Sequence, residues 1–182
     1  MSAPAPTRLE RDKAVVVVVD VQEGFRPVIQ GFDEFAASVA RLVEGANAIG
    51  VPVVASEQYP KGLGATVTEV AEHLNGVQPV AKTCFAATDA DGFDIGGRSQ
   101  AIVCGIESHI CVWQTARGLL DQGVEVHVAR DAVSSRTEDN RALGIELIER
   151  AGGLPTSVET ALFDLLGAAG SDEFKQVQRI IK

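Results

Sequence analysis

Apolar runs alternate along this chain with segments whose apolar positions recur at helical spacing. That alternation predicts a repeating strand–helix order. Ala14–Val19 holds five consecutive valines, apolar on both faces, the pattern of a central parallel strand. Phe35–Ile49 has helical periodicity and stops at Gly50. Val51–Ala55 predicts a second strand, Thr68–Leu74 a short helix stopped by Asn75-Gly76, and Val77–Ala81 a third, weaker strand. Ala101–Cys104 and Val124–Ala129 predict the fourth and fifth, separated by a helix that follows Cys111 and closes at Gly123. Ser135-x-x-Glu138 has capping-box form ahead of a helix over Asp139–Ala151, ended by Gly152-Gly153. Leu154–Thr156 predicts a short sixth strand, Thr156-x-x-Glu159 caps a helix through Leu166, and Asp172–Ile181 is amphipathic. The order predicts a three-layer α/β/α sandwich with a mainly parallel central sheet. It is read as one domain, residues 13–182, after a flexible Pro- and charge-rich segment 1–12.

Composition narrows the function. The chain has 182 residues, 46% of them hydrophobic and 23% charged, which suits a globular protein with a full core. A net charge of −9 argues against nucleic acid or an anionic membrane surface as partner. No run approaches the roughly 18 apolar residues that span a membrane. The first residues, Met1 to Arg8, lack the apolar core of a signal peptide. Three cysteines make no disulfide framework and suit a reducing compartment, so a cytoplasmic location is expected. His73, His109 and His127 form no pair at metal-ligand spacing, so neither a metal nor another cofactor is expected.

Ligands of open parallel sheets bind beyond the carboxyl ends of the strands. Strand one ends in Asp20, strand three runs into Lys82, and strand four leads to Cys111. Each has a plain alternative: a strand-end cap for Asp20, a solvated lysine for Lys82, and a small buried hydrophobe for Cys111. Together they fit one chemistry. A thiol nucleophile needs a base, for which Asp20 serves, and a cation, for which Lys82 serves. The start of a helix at Cys111 adds a positive dipole end that favours thiolate. Backbone N–H groups of the Gly105–Cys111 turn suit an oxyanion hole. His109 is a rival base, two residues before the thiol.

The segments Val-Asp20-Val-Gln, Ala-Lys82-Thr-Cys-Phe and Cys-Gly105-Ile-Glu-Ser-His-Ile-Cys111-Val resemble the isochorismatase-like cysteine hydrolase superfamily. Ser56-Glu-Gln-Tyr-Pro-Lys-Gly-Leu-Gly64 and Asp131-Ala-Val-Ser-Ser-Arg136 resemble its isochorismatase-domain-containing subgroup more closely. The similarity runs over about residues 12 to 181 with the motifs in family order. It implies a Rossmann-like topology, a homo-oligomer (dimer or tetramer), and the catalytic triad Asp20, Lys82 and Cys111. It also implies a non-proline cis peptide at Ile106–Glu107, with the N–H groups of Glu107 and Cys111 forming the oxyanion hole. The implied reaction is hydrolysis of a C–N bond in a small amide or carbamoyl substrate through a thioester. One departure stands out. Nicotinamidases of the superfamily carry an Asp-x-His…His metal site after the second strand, and Ser56-Glu57-Gln58-Tyr59-Pro60 has no histidine.

Glu57, Gln58 and Tyr59 are expected to line the same crevice, with Tyr59 otherwise a surface turn. Phe25 and Phe85 form an apolar wall or ordinary core. Glu107 binds a substrate amide or satisfies its turn. Cys84 and Cys104 are read as packing, and Trp113 as a subunit contact. Three rivals stand beside the amidohydrolase: vinyl-ether hydrolysis of isochorismate, a non-catalytic binding relative, and a redox-sensing thiol. Isochorismate hydrolysis needs no cysteine, and a non-catalytic relative need not retain all three triad residues.

Overall fold

A computed structural model describes residues 7–182. Six strands, β1 (Ala14–Val19), β2 (Val53–Gln58), β3 (Val80–Lys82), β4 (Gln100–Ile106), β5 (Glu125–Ser134) and β6 (Leu154–Thr156), form one sheet in the order β3-β2-β1-β4-β5-β6. Every neighbouring pair is parallel. The valines of β1 are buried on both faces. Val16 and Val18 join the apolar cluster of α1 (Phe32–Ala48) and α6 (Val158–Leu166). Val15, Val17 and Val19 join that of α4 (Trp113–Asp121) and α5 (Glu138–Arg150). Helices thus cover both faces, giving the three-layer α/β/α sandwich that a sheet of two-sided apolar strands requires. Short α2 (Pro60–Leu63) and α3 (Thr68–Ala71) link β2 to β3, and α7 (Asp172–Ile180) packs on α1.

Several boundaries differ from the sequence expectation for identifiable reasons. β5 runs five residues past Ala129, because exposed Arg130 and Asp131 interrupt its apolar pattern where the β4–β5 register shifts. β3 is shorter than Val77–Ala81 and takes in Lys82. The cap of α5 is Thr137, whose side chain accepts from Asn140 N, rather than Ser135. The cap of α6 is Ser157, accepting from Thr160 N, rather than Thr156. Both true caps sit immediately before the helix, where their oxygens reach the free N–H groups. Residues 1–6 of the segment expected to be flexible lie outside the described residues. Beyond them, Leu9 is buried, and its N–H donates to Asp164 Oδ2 at 2.7 Å. Arg11 donates to the Leu165 carbonyl and pairs with Glu173.

The strand order reverses direction between β1 and β4. In doubly wound sheets that switch point opens a crevice at the carboxyl ends. Asp20 leaves β1 there, and the turn that carries Cys111 leaves β4.

Candidate active site

Asp20 follows Val19 in the left-handed region, φ +54°, which a short carboxamide or carboxylate residue tolerates better than most. Its N–H donates to the Ser56 carbonyl of β2, at 3.1 Å. The turn directs a carboxylate with no solvent exposure into the end of the sheet. Lys82 Nζ lies 2.7 Å from Asp20 Oδ2, and both side chains are fully enclosed. The ammonium also donates to Gln58 Oε1 at 2.8 Å, to the Phe85 carbonyl at 3.0 Å and to the Cys84 carbonyl at 3.2 Å. Four oxygens around three protons compensate the desolvation of a buried cation. Ser56 Oγ donates to the other Asp20 oxygen, Oδ1, at 2.7 Å.

Cys111 is 6% exposed. Burial pushes its thiol up to about 12, the Asp20 charge adds to the rise, and Lys82 opposes it. Both groups therefore lie close enough to the sulfur to act on its ionisation, in opposite directions. This corrects the expectation of a thiolate-favouring position. Cys111 sits inside a π-helical turn, Ser108–Val112, ahead of α4, and desolvation outweighs any dipole at the helix start. The resting site is a neutral thiol beside an ion pair.

The turn is held from two sides. Gly105 has φ +123°, and a Cβ there would overlap the Val19 carbonyl, so β4 and β1 approach closely only through glycine. The Ile106–Glu107 peptide is cis. Glu107 accepts from Arg136 N at 2.9 Å and Arg136 Nε at 3.1 Å, so its carboxylate holds the β5–α5 loop. Ser135 Oγ lies 3.1 Å from Ser108 N, 2.7 Å from Ser108 Oγ and 3.1 Å from His109 Nδ1. Ser108 Oγ in turn donates to main-chain carbonyls of Asn140 and Arg141, which only accept. The Ser135 hydroxyl thus links Ser108 and His109 in one chain of hydrogen bonds across the loop. His109 Nδ1 is thereby committed to the loop.

A Cβ on Gly144 of α5 would overlap the Ser108 main chain. On an open helix Gly→Ala would stabilise by about 1 kcal/mol. Here Gly144→Ala is expected to destabilise by about 1–3 kcal/mol, the cost of overpacking. Urea unfolding decides the sign.

The remaining candidates fall in distinct places. Gln58 is bound to Lys82 and, through Nε2, to the Thr83 carbonyl. Glu57 Oε1 accepts from Thr66 N at 2.6 Å and Thr66 Oγ1 at 2.7 Å, and borders a concavity of about 250 Å³ with Leu74 and Val77. Tyr59 is 55% exposed and, with Lys82, Pro60 and Thr83, lines a concavity of about 350 Å³. Phe85 is 52% exposed, which removes the core reading, whereas Phe25 packs against the larger apolar cluster. Cys84, Cys104 and Cys111 are all free thiols. The Arg117 guanidinium stacks over the Trp113 ring. Ser56, Gln22, Ser108 and Arg136 also hold the site without being singled out by the sequence, and Ser135 holds the turn rather than capping α5. Gln22, fully buried, donates to the carbonyls of Gln58 and Gly64 and accepts from Gln58 N. Its signal was a polar residue just past an apolar strand. Among the described residues, no group of three or more His, Cys, Asp or Glu side chains could hold a metal. No helix among them is long and apolar enough to cross a membrane.

Comparison with known proteins agrees with this architecture. A family model described as Isochorismatase domain matches residues 14–160. Isochorismatase domain-containing protein 2A of Mus musculus is 36% identical over 178 residues, covering 96% of this chain and 85% of its own. The secreted isochorismatase effector Isc1 of Phytophthora sojae is 37% identical over 183 residues, covering 96% and 87%. Among solved structures, MAR1 ribonuclease from Caenorhabditis elegans superposes with a TM-score of 0.89 at 34% identity, covering 96% of this chain and 92% of that one. A family match across most of the chain, with relatives above one-third identity over nearly all of it, establishes that this protein belongs to the isochorismatase-like hydrolase family.

Proposed function

We propose that the protein is a cysteine-dependent hydrolase of a small amide or carbamoyl C–N bond. The observation that carries the reading is the fully enclosed Asp20–Lys82 pair, whose charges bear on the buried Cys111 thiol. Asp20 takes the thiol proton as sulfur bonds to the substrate carbonyl carbon. The oxyanion meets N–H groups of the Glu107–Cys111 turn, the tetrahedral adduct collapses, and the C–N bond breaks. The leaving nitrogen takes the proton from Asp20, so a primary amide releases ammonia and leaves a thioester. Water then attacks the acyl carbon, giving its proton to Asp20, and the sulfur departs and is reprotonated. Lys82 neutralises the charge that moves between sulfur and carboxylate.

A neutral thiol in the resting site weakens the redox-sensor reading, because oxidation follows thiolate character. The ribonuclease name of the nematode relative suggests a second substrate class. A net charge of −9 weighs against a phosphate backbone as that substrate. Free thiols support a reducing, cytoplasmic setting. Tyr59 and Phe85, exposed on the segments flanking Lys82, support a homo-oligomeric contact, which sedimentation of the purified protein tests.

Ammonia release from a panel of small amides and carbamoyl compounds, run beside isochorismate, tests the reaction. Turnover that Cys111→Ala abolishes supports the proposal. Isochorismate consumption that survives Cys111→Ala would assign the vinyl-ether reaction instead. Asp20→Asn is expected to lose turnover while leaving the thiol open to iodoacetamide.

A further inference from the structure

We infer that Ser56 is a positioning residue for the proton acceptor, setting how firmly Asp20 holds the Cys111 proton; this rests on the assignment of Asp20 as the base. Ser56 stands beside Val19 in the β1–β2 register, at the last paired position of β1. Its carbonyl receives the Asp20 N–H at 3.1 Å, and its hydroxyl donates to Asp20 Oδ1 at 2.7 Å. One residue therefore grips both the backbone and the side chain of the acid. Ser56 is 2% exposed and Asp20 0%, so water does not substitute for this hydroxyl.

The division of the carboxylate gives the contact its consequence. Oδ2 belongs to Lys82 and Oδ1 to Ser56. The plane of the carboxylate is fixed by two charge-assisted bonds from different strands, and the lone pairs left over are those that can face sulfur. The same hydroxyl withdraws negative charge from Asp20. A carboxylate without it concentrates that charge beside the sulfur, which disfavours ionisation of the thiol, and loses one of the two bonds that fix its plane. Ser56 thus acts on Cys111 only through Asp20. A purely packing role is disfavoured because a buried hydroxyl incurs a desolvation cost that alanine would not.

The test reads iodoacetamide alkylation of Cys111 in the intact protein, resolved by mass spectrometry at one fixed alkaline pH. Ser56→Ala is expected to slow alkylation about three- to tenfold, the worth of one hydrogen bond. Ser56→Thr, which keeps the hydroxyl, is expected to restore it. Asp20→Asn is expected to alkylate faster than wild type, since the repelling charge is gone and Lys82 is left uncompensated. In that background Ser56→Ala should change nothing further. Wild-type alkylation in Ser56→Ala overturns the inference, as does an equal loss in both backgrounds or a threonine variant as slow as alanine. Asp20→Asn that alkylates like wild type overturns the base assignment itself, which separates that failure from the failure of Ser56 alone. No substrate is needed, so the outcome does not depend on the amide panel.

Discussion

Cys111→Ser is expected to reduce turnover of a responsive amide by a factor on the order of 10³ or more, in the range seen when other hydrolases lose their nucleophile. An alcohol is far harder to deprotonate than a thiol, and Asp20 is a carboxylate. Burial and the Asp20 charge already push the Cys111 thiol up to about 12, so the site has no spare driving force for a weaker acid. Initial rates of ammonia release measure the effect, with thermal unfolding as a check that the fold survives. A serine variant with near-wild-type rates would move the nucleophile elsewhere. The alkylation rate of wild-type Cys111 should keep rising with pH through the alkaline range, with no plateau near neutrality.

The same burial links stability to pH. A free thiol ionises near 9.0, whereas folded Cys111 stays protonated to about 12. The unfolded chain therefore loses a proton first. Stability from keeping the thiol neutral is complete below about pH 9 and is lost as pH rises toward 12, by about 1.4 kcal/mol per unit for one group. Cys111→Ala should remove that share of the alkaline decline, read by denaturant titration across pH.

Lys82→Met is expected to cost about 3–5 kcal/mol of stability, because it strands the Asp20 carboxylate with no solvent exposure and no cation. The carbonyls of Cys84 and Phe85 and the amide oxygen of Gln58 lose their donor at the same time. Methionine retains the stem volume, so the loss reports charge and hydrogen bonds rather than a cavity. Urea unfolding measures it, and adding Asp20→Asn should recover part of the loss by removing the stranded charge. A cost under about 1 kcal/mol is what a solvated surface pair would show, and would contradict the burial. Alkylation of Cys111 should slow in Lys82→Met, since Lys82 is the group that favours its ionisation.

Much of this was legible in the order of residues. Five valines apolar on both faces can only be satisfied between two layers of helices, so the sandwich and its central strand followed from β1. The rule that ligands meet parallel sheets at carboxyl ends then singled out Asp20, Lys82 and Cys111, and the structure gathers all three. Ends of elements were less legible. Ser135 has the spacing of a cap, yet its hydroxyl is engaged by Ser108 and His109 while Thr137 caps the helix. The partners of Glu57, Gln58 and Glu107 were also hidden. Each sits near the crevice in sequence, but Glu57 is bound to Thr66, Gln58 to Lys82, and Glu107 to Arg136.

Strand and helix pattern, the parallel sheet, and the three residue types at its carboxyl ends were determined by the chain alone, because periodicity and chemical identity are local properties. The protonation of Cys111, the sharing of Asp20 between Lys82 and Ser56, and the loop clasp at Ser108 were decided only in three dimensions. Desolvation depends on everything packed around a group, and hydrogen bonds join residues 26 to 62 positions apart. A thiol that the sequence places at a favourable helix start becomes, once buried, a group held protonated beside Asp20.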